Sequence, residues 1–362
     1  MVEIRERTFD DFFEVPFAAY PSSEPYVSPM RSDLKRMLSS GVNPLFPSDE
    51  NFTYFTAIRN GRPTGRIVVH NHAASNALYK TNQASFGFFD CEDNGEVAGA
   101  LLEAASQWAR ARGFDMLCGN FNLTAMQQCG VQTDGFNRQG FTDMVQNPAH
   151  IPRLLEANGF EAYFPMTTFA LDLASAMPTG KTLPSDASYS FAPIEKKSFP
   201  ARMEDARLVL NDGFADNPMF VALSNEDFVF QAGEMMTILD PRLSSVLLCD
   251  NEPVGVVICI PDLNGFLRST KSRFGLLTPF HFLRYRLNRK RAVIIFYSVA
   301  RKCHGLGIMG AMLDHTLQAL RNAGYRELGL TWIADINAAS LRQAEKLGAK
   351  PLHRLHLFKK AL

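Results

Sequence analysis

Two stretches of this chain are copies of each other, and a duplication constrains the fold of a chain more than any other feature of its sequence. The residues ALLEAASQWARARGF at 100–114 align without gaps with AMLDHTLQALRNAGY at 311–325. Both stretches carry the apolar spacing of an amphipathic helix, and both end beside a glycine, which is typical of a helix C-terminus. The chain is therefore predicted to hold two similar units in tandem.

The segments around the copied helices repeat as well. Apolar runs on either side of short turns predict a β-hairpin before each helix, at 54–70 and at 246–260. Strands are predicted after the helices, at 114–118 and at 327–333, and a further helix and a terminal pair of strands follow both times. Each unit is thus expected to combine helices with a sheet.

The segment between the units has the composition of a linker. Residues 172–187 read DLASAMPTGKTLPSDA, which is rich in the Pro, Gly, Ser and Thr that interrupt regular structure. We place the first domain at 1–175, the linker at 176–187 and the second domain at 188–362.

Charge and cysteine content exclude several classes of protein. The 37 basic residues equal the 37 acidic residues, and zero formal charge argues against nucleic acid as a partner. The six cysteines form no CxxC pair and have no His spacing suited to zinc, so no metal is expected. The first residues, MVEIRERTFDDFF, do not have the pattern of a signal peptide, and a cytoplasmic location is expected.

A glycine-containing turn precedes the copied helix of the second unit. The apolar strand AVIIFYSVA at 292–300 runs into RKCHGLGIMG at 301–310, where the helix begins. Free backbone amides at a helix start, beside glycines that let a ligand approach, form a cradle for an anion such as a phosphate group. The alternative interpretation is a glycine-rich turn that only packs against the strand.

The first unit lacks this turn. Asn94 and Glu96 stand where the second unit has Gly305 and Gly307, within the acidic stretch DCEDNGE at 90–96. A carboxylate about 5 Å from a phosphate costs about 3 kcal/mol per pair of charges at an effective dielectric constant of about 20. Only the second unit is therefore expected to hold a diphosphate.

A basic segment surrounds the glycine turn. Residues 263–313 contain ten basic residues and no acidic one, and phenylalanines alternate with the charges between 266 and 283. The segment is a solvated basic face, a platform for a phosphate-rich cofactor or a contact site for an anionic membrane. For the third case we expect peripheral contact with the inner face of the membrane through 266–291.

The glycine turn of the second unit matches a known cofactor loop. It reads KCHGLG at 302–307, and WIADIN at 332–337 and EKLG at 345–348 follow it. These residues resemble the GNAT superfamily of N-acetyltransferases, whose loop is written Gln/Arg-x-x-Gly-x-Gly/Ala. Over its full length the chain is similar to the bacterial YghO-like family of tandem GNAT proteins, in the segments GFFD at 87–90, DGF at 134–136, NDGFADN at 211–217 and PDLN at 261–264.

The resemblance implies a fold and a co-substrate. The fold is α+β, in three layers, with two tandem GNAT-like domains that each contain a mixed, mostly antiparallel sheet flanked by helices. Acetyl-CoA or a longer acyl-CoA is the implied donor: loop amides would bind its pyrophosphate, and the strand at 297–300 would pair with its pantetheine arm. The implied cofactor-binding residues are Ser298, Val299, Ala300, Lys302, Cys303, His304, Gly305, Leu306, Gly307, Ile308, Met309 and Asn337.

The residues that transfer protons depart from the family pattern. The implied acceptor is a primary amine with a pKa of about 10.4, so a base or a water relay must take up its proton. Asp335 is the first candidate for the base, and its alternative role is to cap the helix that starts at Asn337. Tyr297 and His304 are candidate acids, and Asn337 is a further candidate catalytic residue. Ala344 stands where many relatives carry the tyrosine that protonates the leaving thiolate.

The acceptor side is expected to come from the first helices of the second unit. The candidate substrate-binding residues are Asp212, Asp216, Asn217 and Trp332, and the alternative role of the first three is hydrogen bonding at a helix end. In the first unit the connection at 119–148 exceeds ordinary loop lengths. We expect it to reach across and wall the acceptor pocket of the second unit.

The preferred interpretation is an acyl-CoA-dependent N-acyltransferase with a catalytic second domain and a degenerate first domain. The 29 Phe, the basic aromatic segment and a resemblance to bacterial enzymes that acylate sphingoid bases favour a lipid-like amine. One alternative is a Fem-type peptidyltransferase, which also joins two GNAT units but takes its aminoacyl group from tRNA; the loop at 302–307 counts against it. The other is a non-catalytic pseudo-acyltransferase that binds a ligand or a partner, which Ala344 favours.

Overall fold

The architecture comes from a computed structural model that describes residues 1–232 and 238–362. The strands of this part are β1 (Val2–Glu6), β2 (Phe52–Arg59), β3 (Arg62–Asn71), β4 (Gln83–Cys91), β5 (Met116–Gly119), β6 (Phe121–Asn122), β7 (Gln128–Cys129), β8 (Val131–Asp134), β9 (Glu161–Asp172), β10 (Tyr189–Pro193), β11 (Ser245–Cys249), β12 (Glu252–Pro261), β13 (Arg291–Val299), β14 (Glu327–Ala334) and β15 (Lys350–Ala361). The helices are α1 (Phe9–Ala19), α2 (Arg31–Met37), α3 (Ala73–Tyr79), α4 (Gly95–Arg110), α5 (His150–Ala157), α6 (Phe199–Gly213), α7 (Asn225–Ala232), α8 (Asn264–Thr270), α9 (Thr278–Asn288), α10 (Ile308–Asn322) and α11 (Ala338–Lys346).

Thirteen strands form one mixed sheet. The order along it is β1-β2-β3-β4-β5-β15-β9-β14-β13-β12-β11-β10, with β8 paired to β15 at the side. From either edge inward the two halves have the same order, and each half contains one parallel pair, β4 with β5 and β13 with β14. The other neighbours along this order are antiparallel. The predicted pair of α+β units with mixed, mostly antiparallel sheets is confirmed.

The last strand of each half lies in the sheet of the other half. β9, which ends the first half, pairs with β14, whereas β15 pairs with β5. The prediction of a terminal pair of strands was wrong. Each half ends in one long strand, β9 or β15, whose pairing is interrupted by register shifts and not by a turn. Since the sheet continues across the linker, the limits at 175 and 188 stay a prediction.

The copied helices cover equivalent positions of the two half-sheets. Leu101 and Leu102 of α4 are buried, and so are Met312 and Leu313, the residues aligned with them in α10. Residues spaced by three and four positions share one face of a helix, and burial of each large apolar side chain contributes about 1.5–3 kcal/mol. The amphipathic helices predicted from the repeat are confirmed.

A buried ion pair lies in the core of the first half. The Arg66 side chain is fully buried, and its Nε donates to the Asp90 carboxylate at 2.8 Å. The hydroxyls of Tyr20 and Tyr26 donate to the same carboxylate, and Arg66 also donates to the Phe12 carbonyl. Each charge is thus compensated by several polar partners, as burial of a charge requires.

Candidate active site

The parallel strands β13 and β14 separate at one end, and the gap between them is the centre of the site. Their pairing runs from Arg291 and Glu327 to Ile294 and Leu330, where it ends. Just beyond, the Thr331 hydroxyl donates to the Ile295 carbonyl at 3.1 Å. The following residues of both strands line a cavity of about 110 Å³, so a ligand can lie between the strands.

Aromatic groups dominate the lining of this cavity. The aromatic residues are Phe164, Phe214, Phe220, Phe296, Tyr297 and Trp332. The polar residues include Asp143, Asn217, Asn337 and Ser340. A mostly apolar wall with a few polar groups is typical of a small-molecule site.

The first half of the chain supplies part of the wall. Ala125, Met126, Gln127 and Asp143, all from the connection at 119–148, line the cavity. This connection contains the short strands β6, β7 and β8. The prediction that it reaches across to the second half is confirmed.

The end of the connection is fixed to the second half by hydrogen bonds. The Thr142 hydroxyl and backbone amide both donate to Asp262, and the Leu263 amide donates back to the hydroxyl at 2.6 Å. Arg291 donates to the same carboxylate at 2.7 Å, and its guanidinium lies 3.9 Å from the Phe141 ring centroid. These contacts hold the backbone on both sides of residue 142.

Asp143 differs from the other polar residues of the cavity because its carboxylate makes no hydrogen bond or ion pair with any residue of the described part. The residue is half-buried, and its φ of 70° lies in the left-handed region. Burial raises the pKa of Asp143 to about 7. Such a carboxyl group can exchange a proton near neutral pH.

Tyr297 and Asn337 both lie at the cavity, next to Ser340. Burial raises the pKa of the Tyr297 hydroxyl, which shares a hydrogen bond with Ser340. The hydroxyl is therefore protonated near neutral pH and can act as a proton donor. Asn337 is the N-cap of α11, and its side-chain oxygen accepts from the Ser340 amide at 3.0 Å.

The glycine loop at the start of α10 is open. Gly305 and Gly307 have φ of 81° and 79°, in the left-handed region that favours glycine, and no side chain caps the helix. A Cβ at Gly305 would meet nothing within 4 Å, and one at Gly307 would lie 3.4 Å from Cδ of Lys181, a linker residue. Uncapped amides beside a lysine fit a phosphate group.

The equivalent helix of the first half is closed. The Asn94 side chain accepts from the Glu96 and Val97 amides, at 2.9 and 3.1 Å, and so occupies the groups that would bind an anion. The expected repulsion by the acidic stretch is weaker than predicted, because three of its four acids are paired with arginines. These pairs are Asp90 with Arg66, Glu92 with Arg59 and Asp93 with Arg153.

The gap between β4 and β5 in the first half is filled by its own chain. The Asn122 side chain accepts from the Phe88 amide at 2.7 Å, and the Asn120 side chain accepts from the Phe89 amide at 3.3 Å. The space left there is about 30 Å³. The β4 amides that would face a ligand are therefore already used.

Asp335, the first candidate for the base, does not line the cavity. Its carboxylate oxygens accept from the Arg354 guanidinium at 2.7 and 2.5 Å. The alternative role as helix cap also goes to another residue, Asn337. Because Arg354 lies on β15, this ion pair joins the end of β14 to the last strand of the chain.

The structure divides the remaining candidates. Asn217 and Trp332 line the cavity, whereas Asp212 and the exposed Asp216 do not. Asp212 accepts from the backbone amide of Arg301 at 2.6 Å and from its side chain, which lowers the pKa of the carboxyl group. Asp212 thus anchors the start of the glycine loop.

Side chains of the loop itself make protein contacts. Lys302 forms an ion pair with Glu252 at 2.9 Å, Cys303 is buried, and a His304 ring nitrogen lies 3.3 Å from the Val299 carbonyl. The loop therefore offers a ligand its main chain more than its side chains.

Comparison with known proteins shows which proteins the chain is similar to. Residues 212–349 match the sequence model of the Acetyltransferase (GNAT) family. The chain is also similar to the bacterial ceramide synthase of Caulobacter vibrioides, with 24% identity over 97% of this chain and 94% of that protein. Protein YghO of Escherichia coli is 22% identical over 97% of this chain and 92% of that protein.

Solved structures show the same arrangement of two units. A tandem GNAT protein from the clavulanic acid biosynthesis pathway superposes with a TM-score of 0.62, at 12% identity, over 100% of this chain and 98% of that one. The chain has the fold of a tandem GNAT protein. A GCN5-related N-acetyltransferase from Sphaerobacter thermophilus superposes with a TM-score of 0.57, at 14% identity, over 99% and 95% of the two chains. The segment 212–349, which matches the GNAT family in sequence, contains the open glycine loop.

Three residues at or near the site were missed in the sequence. Asp143 was one of several polar residues in a long connection, and Ser340 had no distinguishing neighbour. Lys181 lay in a segment predicted to be only a linker, although a lone basic residue there was a signal that could have been followed. Their significance comes from tertiary contacts.

In residues 1–232 and 238–362, no group of three or more His, Cys, Asp or Glu is placed to hold a metal ion. Over the same ranges no helix has the length and apolar character needed to cross a bilayer. The six cysteines are free thiols.

Proposed function

We propose that this protein transfers an acyl group from acyl-CoA to a primary amine, with the second half as the catalytic half. The observation that carries the proposal is the open, uncapped glycine loop at Gly305 and Gly307, which directly follows the strand that lines the cavity. An open anion cradle next to a gap between strands provides one place for a diphosphate and another for the acyl group.

The donor-binding residues follow from this arrangement. Backbone amides of the segment from Lys302 to Met309 would bind the pyrophosphate, with Lys181 beside them. Ser298 and Val299 pair with β12 on one side, whereas pairing with β14 on the other side has ended at Ile294. The free edge of β13 up to Ala300 would pair with the pantetheine arm, and Asn337 lies at the cavity beside it. The bound acyl-CoA supplies an activated thioester.

A lipid-like amine is the acceptor that we propose. One relative bears the name ceramide synthase, and a ceramide is the amide of a long-chain amino alcohol. A second cavity, of about 320 Å³, shares Ala125, Met126 and Gln127 with the first and provides space for a long chain. Its apolar lining also includes Pro44, Leu45, Met219, Val221, Leu223 and Phe230. Asn217 and Trp332 would contact the acceptor in the first cavity.

We also propose that α9 and the turn before it contact an anionic membrane. Five of the ten basic residues counted between 263 and 313 pair with acids elsewhere in the fold: Arg273, Arg289, Arg291, Arg301 and Lys302. Among described residues the other five make no ion pair: Arg268, Lys271, Arg284, Arg286 and Lys290. Two of these unpaired charges, Arg284 and Arg286, lie on α9 itself, which also carries an apolar face.

That apolar face points to solvent. Phe280, Leu283 and Leu287 are 61%, 56% and 73% exposed, and their spacing of three and four residues places them on one side of α9. Leu276, in the turn before α9, is 101% exposed. Phe282 instead packs on Phe266. An exposed apolar stripe flanked by unpaired basic residues is the composition of a helix that lies in a membrane interface.

Titration calorimetry with CoA tests the proposed function. We expect 1:1 binding to the wild-type protein and a loss of about 100-fold in affinity for Gly305→Glu, since a carboxylate near a phosphate costs about 3 kcal/mol. Gly324→Glu is the matched control, because Gly324 has φ of 80° and also nothing within 4 Å of an added Cβ. Absent CoA binding would overturn the proposal and leave the Fem-type and pseudo-acyltransferase alternatives, whereas binding without amide formation would favour the pseudo-acyltransferase.

A further inference from the structure

A carboxylate without a partner lies in the wall of the active-site cavity, and the first half of the chain provides it. Asp143 lines the cavity together with Tyr297, Asn337 and Ser340 of the second half. Most of the carboxylates discussed above are used: Asp90, Asp212, Asp262 and Asp335 each bind an arginine. The Asp143 carboxylate binds no arginine, so a structural ion pair does not explain its place at the cavity.

The surrounding contacts hold Asp143 in place without neutralising it. Thr142, its neighbour, is bound to Asp262 and Leu263, and Phe141 is buried against Gly329 of β14. The left-handed backbone at residue 143 is maintained by these contacts on its N-terminal side. A strained residue that is held at a cavity without a structural bond is typical of a functional position.

We propose that Asp143 is the general base that takes the proton from the acceptor amine. The inference rests on the proposed function and adds to it a catalytic residue, which comes from the half that binds no CoA. The two halves would then share one active site, with the donor held by the second half and the proton accepted by the first.

The amine enters as an ammonium ion and transfers one proton to the Asp143 carboxylate, and its freed lone pair forms the bond to the thioester carbonyl carbon. As the carbon–sulfur bond breaks, the nitrogen gives its second proton to water, and the leaving thiolate takes a proton from the Tyr297 hydroxyl. Water then returns a proton to Tyr297 and removes the one on Asp143, so that one proton is released for each amide formed.

The electrostatic surroundings suit this role. Burial alone raises the pKa of Asp143, without a contribution from a neighbouring charge. The titratable groups that face it are Tyr297 across the cavity and Cys129 on β7, and burial keeps both protonated near neutral pH. A base whose pKa lies near the working pH combines a substantial ionised fraction with useful basicity.

The test compares Asp143→Asn with Asp335→Asn. Asparagine keeps the shape of aspartate and accepts a left-handed backbone, so we expect Asp143→Asn to fold and to bind CoA as the wild-type protein does. Amide formation would be followed by mass spectrometry with palmitoyl-CoA and sphinganine, and with acetyl-CoA and short primary amines. We expect kcat/KM at pH 7 to fall by about 100-fold or more in Asp143→Asn. Asp335→Asn should stay within about threefold, since a half-exposed ion pair contributes little.

Two further measurements separate a catalytic role from a structural one. The inflection near pH 7 in kcat/KM should be absent in Asp143→Asn. Asp143→Gly, which suits the backbone and leaves space, should regain activity when formate is added. Undiminished turnover in Asp143→Asn, or a loss that formate does not restore, would overturn the role of Asp143 alone. A wild-type protein that binds CoA but acylates no amine would overturn the proposed function as well.

Discussion

The carboxylate of Asp262 accepts hydrogen bonds from both the backbone amide and the hydroxyl of Thr142, at 2.9 and 3.0 Å. This pair joins the connection of the first half to the end of β12 in the second half, one residue before Asp143. Since a displacement of about 1 Å at a reacting group costs up to about 100-fold in rate, the pair should control catalysis through the position of Asp143.

Thr142→Val removes the hydroxyl from this pair and leaves the shape of the side chain. We expect kcat to fall by about tenfold while the affinity for CoA stays unchanged, because only the base is displaced. Steady-state kinetics and calorimetry measure the two effects. Thr133→Val is the control, because its hydroxyl also joins the two halves, by donating to the Arg354 carbonyl, but lies away from the cavity. Equal losses of kcat in both variants would contradict this prediction.

The free energy of unfolding should depend on pH because Asp143 is buried. The folded-state pKa of about 7 lies above the ordinary value of 3.8, so the folded state holds this proton more tightly than the unfolded state does. The free energy of unfolding therefore loses a contribution as the pH rises from about 4 to 7, and the loss is complete above about 7. Asp143→Asn cannot ionise and avoids the loss.

Urea unfolding at several pH values measures this difference. At pH 8 we expect Asp143→Asn to be more stable than the wild-type protein by about 1 to 4 kcal/mol, since one pKa unit corresponds to about 1.4 kcal/mol. At pH 4 the two proteins should be equally stable. If the difference in the free energy of unfolding between the two proteins does not change with pH, Asp143 titrates as an exposed carboxyl group does. This measurement needs no substrate.

Much of the fold could be predicted from the sequence because the duplication is recorded in local patterns. The helix at 311–325 and the hairpin at 246–260 have the periodicity of their elements. The exchange of β9 and β15 could not be predicted, because both strands have the same apolar pattern whichever half-sheet they join. The pairing of strands is decided by contacts between residues that are far apart in the sequence.

The residues of the site also divide into those that could be predicted from the sequence and those that could not. The glycine loop could be located because backbone conformation demands glycine at 305 and 307. Asp335 and Asp143 could not be ranked, since a carboxylate is free or bound according to its partners in space. The Asp335 carboxylate forms an ion pair with Arg354 on a different strand, whereas the Asp143 carboxylate forms none with any residue of the described part.

The buried Arg66 should be sensitive to loss of its partner. Asp90→Asn leaves a fully buried guanidinium without its carboxylate, so we expect a loss of about 3 to 5 kcal/mol in the free energy of unfolding. Asp93→Asn is the matched control, because Asp93 and its partner Arg153 are exposed, and its loss should stay below about 1 kcal/mol. Urea unfolding compares the two, and a similar loss in both would show that the buried pair contributes no more than the exposed one.

The exposed face of α9 should bind anionic vesicles. Replacing Leu283 and Leu287 by glutamate removes two apolar contacts and opposes the negative surface, so sedimentation with phosphatidylglycerol-containing vesicles should fall by at least about tenfold. Leu208→Glu, at another exposed leucine, is the control and should sediment as the wild-type protein does.

Binding of the wild-type protein to these vesicles should weaken as salt is added, because Arg284, Arg286 and Lys290 contribute through charge, and it should be weak on vesicles of phosphatidylcholine alone. The alternative occupant of the face is a second copy of the chain. In that case the Leu283 and Leu287 variant would change the mass measured by light scattering, and the wild-type protein would not sediment with vesicles of either composition. That result would overturn the membrane contact and assign the apolar stripe to a dimer interface.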